Sequence, residues 1–309
     1  MPSYHVKRSI NIAAPLKSIH TSLCDFQQWP IWSPWLIAEP DAKLEYNDKQ
    51  GEVGATYQWE GDLVGSGGME ILQINDNDIE MSINFVAPFK SSARVTFELE
   101  SNGEETTVTW NMLGKLPFFL FMMLEKMKLY IGMDYERGLN MLKEYSEKGS
   151  ISSAITIQGV VTQPPQKYIG IANNCTIKDI GSVMPADFKK LADYFAENNL
   201  STAATAFAIY TEFDIEKQHA SFISAIPIDE NIDVIAPFIT GETDKTEVIK
   251  VNHTGPYAYI GNGWAVAMMY SRANKLKLQK SPVGIEYYLS DPNTTAQAEL
   301  ITEIALPLK

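Results

Sequence analysis

A glutamate lies in the middle of an alternating segment near the end of the chain, SPVGIEYYLSDP (residues 281–292). Alternation predicts a strand, and one of its faces would carry Gly284, Glu286 and Tyr288. If that face lines a groove, the carboxylate can balance a bound cation, or act as a general base once burial raises its pKa. The alternative is a glutamate that is exposed to solvent or paired with a lysine or an arginine.

Four aromatic residues are candidates for the walls of such a groove: Tyr210, Tyr257, Trp264 and Tyr288. An aromatic face attracts a desolvated cation by roughly 0.5–2 kcal/mol. Trp264 also falls with Ile260 and Met268 at helical spacing, which is equally typical of a core residue. Tyr257 follows Pro256 in a predicted loop, where it could be a lid or an ordinary turn residue.

A hydrolase built on these residues would use Glu286 as its base and the hydroxyl of Tyr288 to stabilise developing charge. Patterns for other chemistry are missing from the sequence. The histidines have no acidic partner at motif spacing, and the two cysteines lack metal-ligand spacing. GSGGME (residues 65–70) is not followed by the helix that a dinucleotide fingerprint requires. We therefore expect neither a metal nor a cofactor.

The charge balance is acidic, with 38 Asp and Glu against 25 Lys and Arg and a net charge of -13. Nucleic acid phosphates require a cationic surface, so we expect no nucleic acid partner. The most hydrophobic window, LPFFLFMMLEKMKLYIGM (residues 116–133), is interrupted by charged residues too early to span a bilayer. These features favour a cytoplasmic protein that does not bind membranes and keeps its thiols reduced.

A chain of 309 residues is longer than one hydrophobic core usually spans, so two domains are expected. In the first half, alternating segments predict antiparallel strands with one buried face. These segments are residues 4–13, 55–61, 79–85, 94–100 and 107–113. With a helical stretch over 16–28 and a long helix over 117–148, their order predicts a helix-grip fold, in which the sheet curls around the helix and can enclose a cavity.

Inward-facing aromatic residues of these strands could line that cavity or fill the core: Tyr57, Trp59, Phe85 and Trp110. The motifs RSINIAAP, WPIWSPW, VGATYQWEG, GSGGMEI and MDYERGLNMLK resemble the START/polyketide-cyclase-like (SRPBCC) family. The resemblance implies an apolar ligand in the cavity. Some members of that family are cyclases, whereas many only bind or carry a ligand.

The second half contains a unit of strand, helix, strand and strand written twice, after a small polar linker at residues 147–155. The first copy is predicted as a strand over 157–172, a helix over 184–198, and strands over 204–213 and 219–228. The second copy is predicted as a strand over 246–255, a helix over 259–277, and strands over 283–290 and 298–308. The duplication predicts two half-sheets with a central groove, and domains of α+β class at residues 1–149 and 156–309.

Alignment of the two copies separates shared residues from those found once. Tyr210 corresponds to Tyr288, so the counterpart of Glu286 is Ala208. A groove between the copies would therefore have tyrosines on both sides and a carboxylate on one side only. This asymmetry favours a residue that meets a ligand over a residue that the duplicated architecture requires.

The segments VNHTGPYAYIGNGWAVAMMY, GIEYYLSDP and ELITEIALPL resemble the GyrI-like effector-binding family. The resemblance implies a groove for bulky, often cationic and aromatic small molecules, with the glutamate at position 286 as its central polar contact. Some members are hydrolases of strained cyclopropane-containing compounds. In related transcription factors this domain follows a DNA-binding module, whereas here it follows the START-like half, so a transcription factor is not expected.

Three functions follow from these patterns. The leading one is binding or sensing of a small molecule, with a bulky cationic or aromatic ligand beside Glu286 and an apolar ligand possible in the first half. The second is a Glu286-dependent hydrolase of small toxic compounds. The third is a protein-interaction module, in which the groove grips a protein partner.

Overall fold

The computed structural model describes residues 3–115, 122–200 and 205–309. The chain divides into two compact units, Met1–Ile151 and Ser152–Lys309. Both units combine an antiparallel sheet with helices, which confirms the predicted α+β class. Within the described ranges, no helix is both long and apolar enough to cross a membrane.

The first unit contains a sheet of seven strands and a long final helix. The elements are β1 (Ser3–Ile12), α1 (Leu16–Cys24), α2 (Trp29–Trp32), α3 (Pro34–Ala38), β2 (Lys43–Tyr46), β3 (Thr56–Gly61), β4 (Gly65–Ile74), β5 (Asp78–Ala87), β6 (Ser91–Asn102), β7 (Glu105–Lys115) and α4 (Leu124–Lys148). The strand order is β1-β7-β6-β5-β4-β3-β2, so the first and the last strand of this unit are neighbours.

Helix α4 ends where the sequence predicts it. Gly149 adopts a left-handed backbone with φ 75°, and its N–H donates to the carbonyl of Tyr145. Glycine is favoured at this position because a side chain would be strained there. The predicted start at Pro117 lies outside the described residues, and the described helix begins at Leu124.

The second unit contains a sheet of eight strands and two helices. The elements are β8 (Ala154–Gln163), β9 (Lys167–Thr176), α5 (Ile180–Glu197), β10 (Phe207–Asp214), β11 (His219–Pro227), β12 (Ile239–Glu242), β13 (Thr246–Thr254), α6 (Ile260–Ala273), β14 (Gly284–Tyr288) and β15 (Ile301–Pro307). The strand order is β12-β9-β11-β10-β14-β15-β13-β8.

The prediction of one strand over residues 157–172 is wrong, because two strands occupy this segment. Pro164 and Pro165 separate β8 from β9, since proline has no N–H for a sheet hydrogen bond. The two strands also have different neighbours: β8 pairs with β13, whereas β9 pairs with β11 and β12. Each copy of the repeat is therefore strand, strand, helix, strand, strand.

The first strand of each copy pairs with the other copy. Strand β8 opens the first copy and pairs with β13 of the second, and β12 opens the second copy and pairs with β9 of the first. Reading the sheet from either edge therefore gives the same order of counterpart strands. A pseudo-two-fold axis passes between β10 and β14 at the centre of the sheet, and this exchange of edge strands ties the copies into one sheet.

Candidate functional site

Glu286 lies beside the pseudo-two-fold axis. In the register of β10 and β14, Ala208 pairs with Glu286. Ala208 is also the counterpart of Glu286 in the repeat, so the axis passes between these two residues. The next strand outward on each side repeats this symmetry. Ala208 pairs with Ser224 on β11, and Glu286 pairs with Ile304 on β15. Ser224 and Ile304 are repeat counterparts as well. The carboxylate thus occupies the middle of the sheet.

Three side chains donate hydrogen bonds to the Glu286 carboxylate. Trp264 Nε1 on α6 donates to Oε1 over 2.5 Å. The hydroxyls of Tyr288 and Tyr210 donate to Oε2 over 2.9 Å and 3.2 Å. Glu286 is 3% exposed. The alternative of a solvent-exposed glutamate therefore does not hold. We call these four residues, together with Met184 and Phe188 of α5, the Glu286 site.

Burial dominates the electrostatics of this site. Desolvation raises the pKa of Glu286, and the hydrogen bonds from Trp264, Tyr288 and Tyr210 oppose that rise. Burial and the neighbouring carboxylate hold the pKa of both tyrosines well above the usual value, so their hydroxyls remain donors. Every hydrogen-bond donor that the described residues bring to Glu286 is uncharged. Among the described residues, the ionised carboxylate therefore lacks the positive hydrogen-bond partner that a buried charge usually has.

Gly284 explains how the indole reaches the carboxylate. A Cβ at residue 284 would lie 2.4 Å from Cη2 and 2.7 Å from Cζ3 of Trp264. Only glycine lets the ring lie across strand β14 at this point, because real Cβ contacts are never so short. Sequence reasoning noted that Gly284 and Glu286 share a face but did not recognise this role. The signal was present, since a glycine inside a strand often marks a close approach.

The aromatic residues predicted for the groove come together around Tyr288 and Trp264. The ring centroids of Tyr210 and Trp264 are 5.5 Å apart at 87°. Tyr257, before α6, lies 5.8 Å from Tyr288, and Phe188 on α5 lies 5.5 Å from it. Tyr257 is 39% exposed, so it lies at the solvent-facing edge of this aromatic group. The structure thus brings together all five residues that the sequence analysis named.

Helix α5 contributes two residues that sequence reasoning missed. The sulfur of Met184 lies 2.9 Å from the hydroxyl of Tyr288, and the ring of Phe188 packs against the same tyrosine edge to face. Met184 is the repeat counterpart of Trp264, since α5 and α6 begin at counterpart positions, Ile180 and Ile260. Alignment of the two helices would have found it.

A second buried carboxylate lies on the same side of the sheet. Asp187 on α5 is 2% exposed and accepts hydrogen bonds from Asn173 Nδ2 over 2.6 Å and from Ser224 Oγ over 3.2 Å. Among the described residues, no three His, Cys, Asp or Glu side chains are arranged to hold a metal ion.

Three of the four aromatic residues predicted for the first unit form a row of ring contacts. Tyr57 contacts Trp59, whose ring is 6.0 Å from Phe85. The fourth, Trp110, stacks on Tyr135 of α4, with ring centroids 3.9 Å apart. Tyr57, Trp59 and Trp110 are buried, whereas Phe85 is partly exposed. A ligand bound among these rings stays a prediction.

Family comparisons match the two halves separately. Residues 3–147 match the model described as polyketide cyclase / dehydrase and lipid transport, and residues 159–309 match the GyrI-like small molecule binding domain. The chain therefore joins a polyketide-cyclase-like domain to a GyrI-like domain, and both are families of small-molecule-binding domains. This confirms the two resemblances found in the sequence.

Comparison with solved structures finds matches at low sequence identity and low TM-score. The Aha1 dimer from Colwellia psychrerythraea is 17% identical, with a TM-score of 0.36, and the match covers 47% of this chain and 98% of that one. An integron cassette protein from Vibrio cholerae is 17% identical, with a TM-score of 0.35 and coverage of 50% and 99%. EcmrR in its DNA complex is 16% identical, with a TM-score of 0.43 and coverage of 63% and 78%. Comparison with curated proteins finds no match.

Proposed function

We propose that the GyrI-like half binds a bulky aromatic cation at the Glu286 site, with the Glu286 carboxylate as its counter-charge. One observation carries this proposal: the carboxylate is almost fully buried, and its hydrogen-bond donors among the described residues are all neutral. Burial of an unpaired charge destabilises a fold by several kcal/mol. A cationic ligand supplies the missing charge.

The surroundings of Glu286 favour an aromatic cation over a small inorganic one. The rings of Trp264, Tyr210 and Tyr288 lie close to the carboxylate, and Tyr257 extends this aromatic group to the solvent-exposed surface. Stacking against these rings adds roughly 0.5–2 kcal/mol for each cation–π contact that excludes water. Met184 and Phe188 add an adaptable apolar wall on the α5 side, which suits ligands of varied shape.

A matched pair of dyes tests the proposal. N-methylacridinium carries a fixed positive charge, whereas acridine has nearly the same shape and is uncharged at mildly alkaline pH. At about 100 times the dissociation constant, a ligand stabilises the native state by roughly 2.7 kcal/mol, which a thermal-shift assay detects easily. We expect the cation to raise the Tm of the wild type well above the effect of acridine, and Glu286→Gln to remove this difference. A cation effect that survives in Glu286→Gln would exclude the carboxylate as the counter-charge.

A Glu286-dependent hydrolase is the second candidate, and one observation favours it. The raised pKa of Glu286 brings the carboxylate closer to the range of a general base, and the Tyr288 hydroxyl lies 2.9 Å from its Oε2. Incubation with strained cyclopropane-containing compounds distinguishes the two functions. Product formed by the wild type but not by Glu286→Gln would support catalysis, whereas saturable binding without product supports the binder.

For the polyketide-cyclase-like half we propose an apolar ligand inside the sheet. The family description includes lipid transport, and the buried face of the sheet is rich in aromatic residues. Solvent extraction of the purified full chain followed by mass spectrometry tests this. A stoichiometric apolar molecule is expected, and a protein that remains empty after incubation with lipids would contradict the proposal.

A further inference from the structure

A second group of polar side chains lies on the opposite face of the sheet from Glu286. Lys250 Nζ on β13 is 2.6 Å from Glu303 Oε1 on β15 and lies over the ring of Tyr287 on β14, 5.8 Å from its centroid. The register pairs Glu303 with Asn252 on one side and with Tyr287 on the other. We call Lys250, Asn252, Tyr287 and Glu303 the Lys250 cluster.

Two polar groups of this cluster are buried and have no hydrogen-bond partner among the described residues. They are the hydroxyl of Tyr287 and Oδ1 of Asn252, and both atoms are inaccessible to solvent. Tyr287 is 8% exposed as a residue. Buried polar groups are nearly always satisfied, so each exception calls for an explanation, such as a role in binding. Two such groups on either side of one ion pair indicate a binding site.

The other copy of the repeat is an internal control for this cluster. The counterparts of Lys250, Asn252, Tyr287 and Glu303 are Gly170, Ala172, Ile209 and Ile223. None of these side chains can form a hydrogen bond. The duplicated fold therefore forms without the cluster, and its polar residues are not required by the architecture.

The backbone beside the cluster is irregular. The register of β13 and β8 shifts next to Lys250, opposite Gly159, whose φ is 85°. The corresponding pairing of β9 with β12 ends at Gly170, the counterpart of Lys250. A bulge re-aims the neighbouring side chain and is over-represented next to functional sites. The bulge thus lies directly beside the polar cluster.

The chemistry of the cluster defines a ligand. Lys250 and the Tyr287 hydroxyl are donors that suit a carboxylate, and Glu303 and Asn252 Oδ1 are acceptors that suit an ammonium group. The side chains of Lys250 and Glu303 are 16% and 11% exposed, so the ion pair can be reached from solvent. Phe207 and Ile285 lie beside Tyr287 on this face and offer apolar contacts.

We propose that the Lys250 cluster is a second binding site, which takes a zwitterion of the α-amino-acid type with an apolar side chain. The ligand carboxylate binds Lys250 and Tyr287, and its ammonium group binds Glu303 and Asn252. The site is independent of the Glu286 site, because successive residues of β14 point to opposite faces of the sheet. Burial raises the pKa of Tyr287, so its hydroxyl stays a donor at neutral pH.

A thermal-shift assay on the full chain tests this site with L-alanine, L-leucine and L-phenylalanine as probes. Propionate and ethylamine are half-ligands that carry only one of the two charges. We expect at least one amino acid to raise the Tm of the wild type, and both half-ligands to bind at least tenfold more weakly. If no amino acid stabilises the wild type, the proposal is wrong.

Variants show whether such binding occurs at the cluster. Tyr287→Phe removes only a hydroxyl that has no hydrogen-bond partner among the described residues, so the variant should fold with an unchanged or higher Tm. Its affinity for the amino acid should fall at least tenfold, as should that of Asn252→Ala. Tyr168→Phe, on the same face in the first copy, is the matched control and should bind like the wild type. Amino-acid binding that persists in both Tyr287→Phe and Asn252→Ala would place the ligand elsewhere and overturn the assignment.

Discussion

The indole of Trp264 occupies the space that a Cβ of residue 284 would need, with Cη2 only 2.4 Å from that position. Gly284 therefore allows the indole N–H to reach the Glu286 carboxylate. In the first copy of the repeat the corresponding positions hold Met184 and Ala206. The pair of Trp264 and Gly284 thus occurs only in the copy that carries the carboxylate.

Gly284→Ala should displace the indole and weaken its hydrogen bond to Glu286. Overpacking of this kind typically costs 1–3 kcal/mol, so roughly this loss of unfolding free energy is expected in urea denaturation. The double variant Gly284→Ala with Trp264→Met copies the first repeat and should recover much of that loss. If Gly284→Ala alone is as stable as the wild type, the close packing of the indole is not a constraint.

The raised pKa of Glu286 predicts a pH dependence of stability. The folded protein binds the proton of the Glu286 carboxyl more tightly than the unfolded chain does. Protonation of Glu286 therefore stabilises the fold below the ordinary glutamate pKa of about 4.3, and this stabilisation is lost as the pH rises through the raised pKa. Glu286→Gln cannot ionise and does not lose stability in this way. The unfolding free energy of Glu286→Gln minus that of the wild type should therefore increase from acidic to neutral pH. A difference that does not change with pH would contradict the raised pKa.

Cation binding should show the reverse dependence. A cation needs the ionised carboxylate, so binding lowers the pKa of Glu286 and releases a proton wherever the free protein is protonated. Below the raised pKa, affinity for N-methylacridinium should fall about tenfold for each pH unit. Calorimetry in buffers of different ionisation enthalpy would measure the proton release. Affinity and proton count that stay constant with pH would exclude ionised Glu286 as the counter-charge.

His253 gives a second, opposite pH effect. Burial lowers the pKa of His253 to about 4, and its Nε2 lies 3.1 Å from Ser153 Oγ. Because the unfolded chain binds the proton more tightly, stability is lost as the pH falls from the ordinary histidine pKa of about 6.5 through the lowered value, with a slope of up to roughly 1.4 kcal/mol per unit. His253→Asn introduces the residue that the first copy carries at Asn173 and should reduce this slope. An unchanged slope would mean that His253 is accessible to protons in the folded state.

The sequence predicted most of the architecture because the physical signals for it are local. Alternation marks the strands, Gly149 marks the end of α4, and similarity between the copies identifies Ala208 as the counterpart of Glu286. The break between β8 and β9 was missed although Pro164 and Pro165 mark it, because both flanking segments alternate alike. Strands β8 and β9 lie far apart in the sheet because β8 pairs with β13 of the other copy, and no local sequence pattern indicates that pairing.

The candidate site was predictable only in part. The strand carrying Glu286 and Tyr288 could be read from alternation, and the role of Tyr210 from the repeat. The contacts of Met184 and Phe188 with Tyr288 depend on how α5 lies over the sheet, which the hydrophobic period of a helix does not specify. The Lys250 cluster was missed because its four residues come from three strands and form no motif.

Isothermal titration calorimetry with N-methylacridinium and acridine, on the wild type, Glu286→Gln and Asp187→Asn, tests the central claim most directly. We expect the wild type to prefer the cation by at least tenfold, a difference of about 1.4 kcal/mol. Glu286→Gln should abolish that preference, and Asp187→Asn, which removes another buried carboxylate on the same side of the sheet, should retain it. Equal preference in the wild type and Glu286→Gln would contradict the role of Glu286 as the counter-charge of a bound cation.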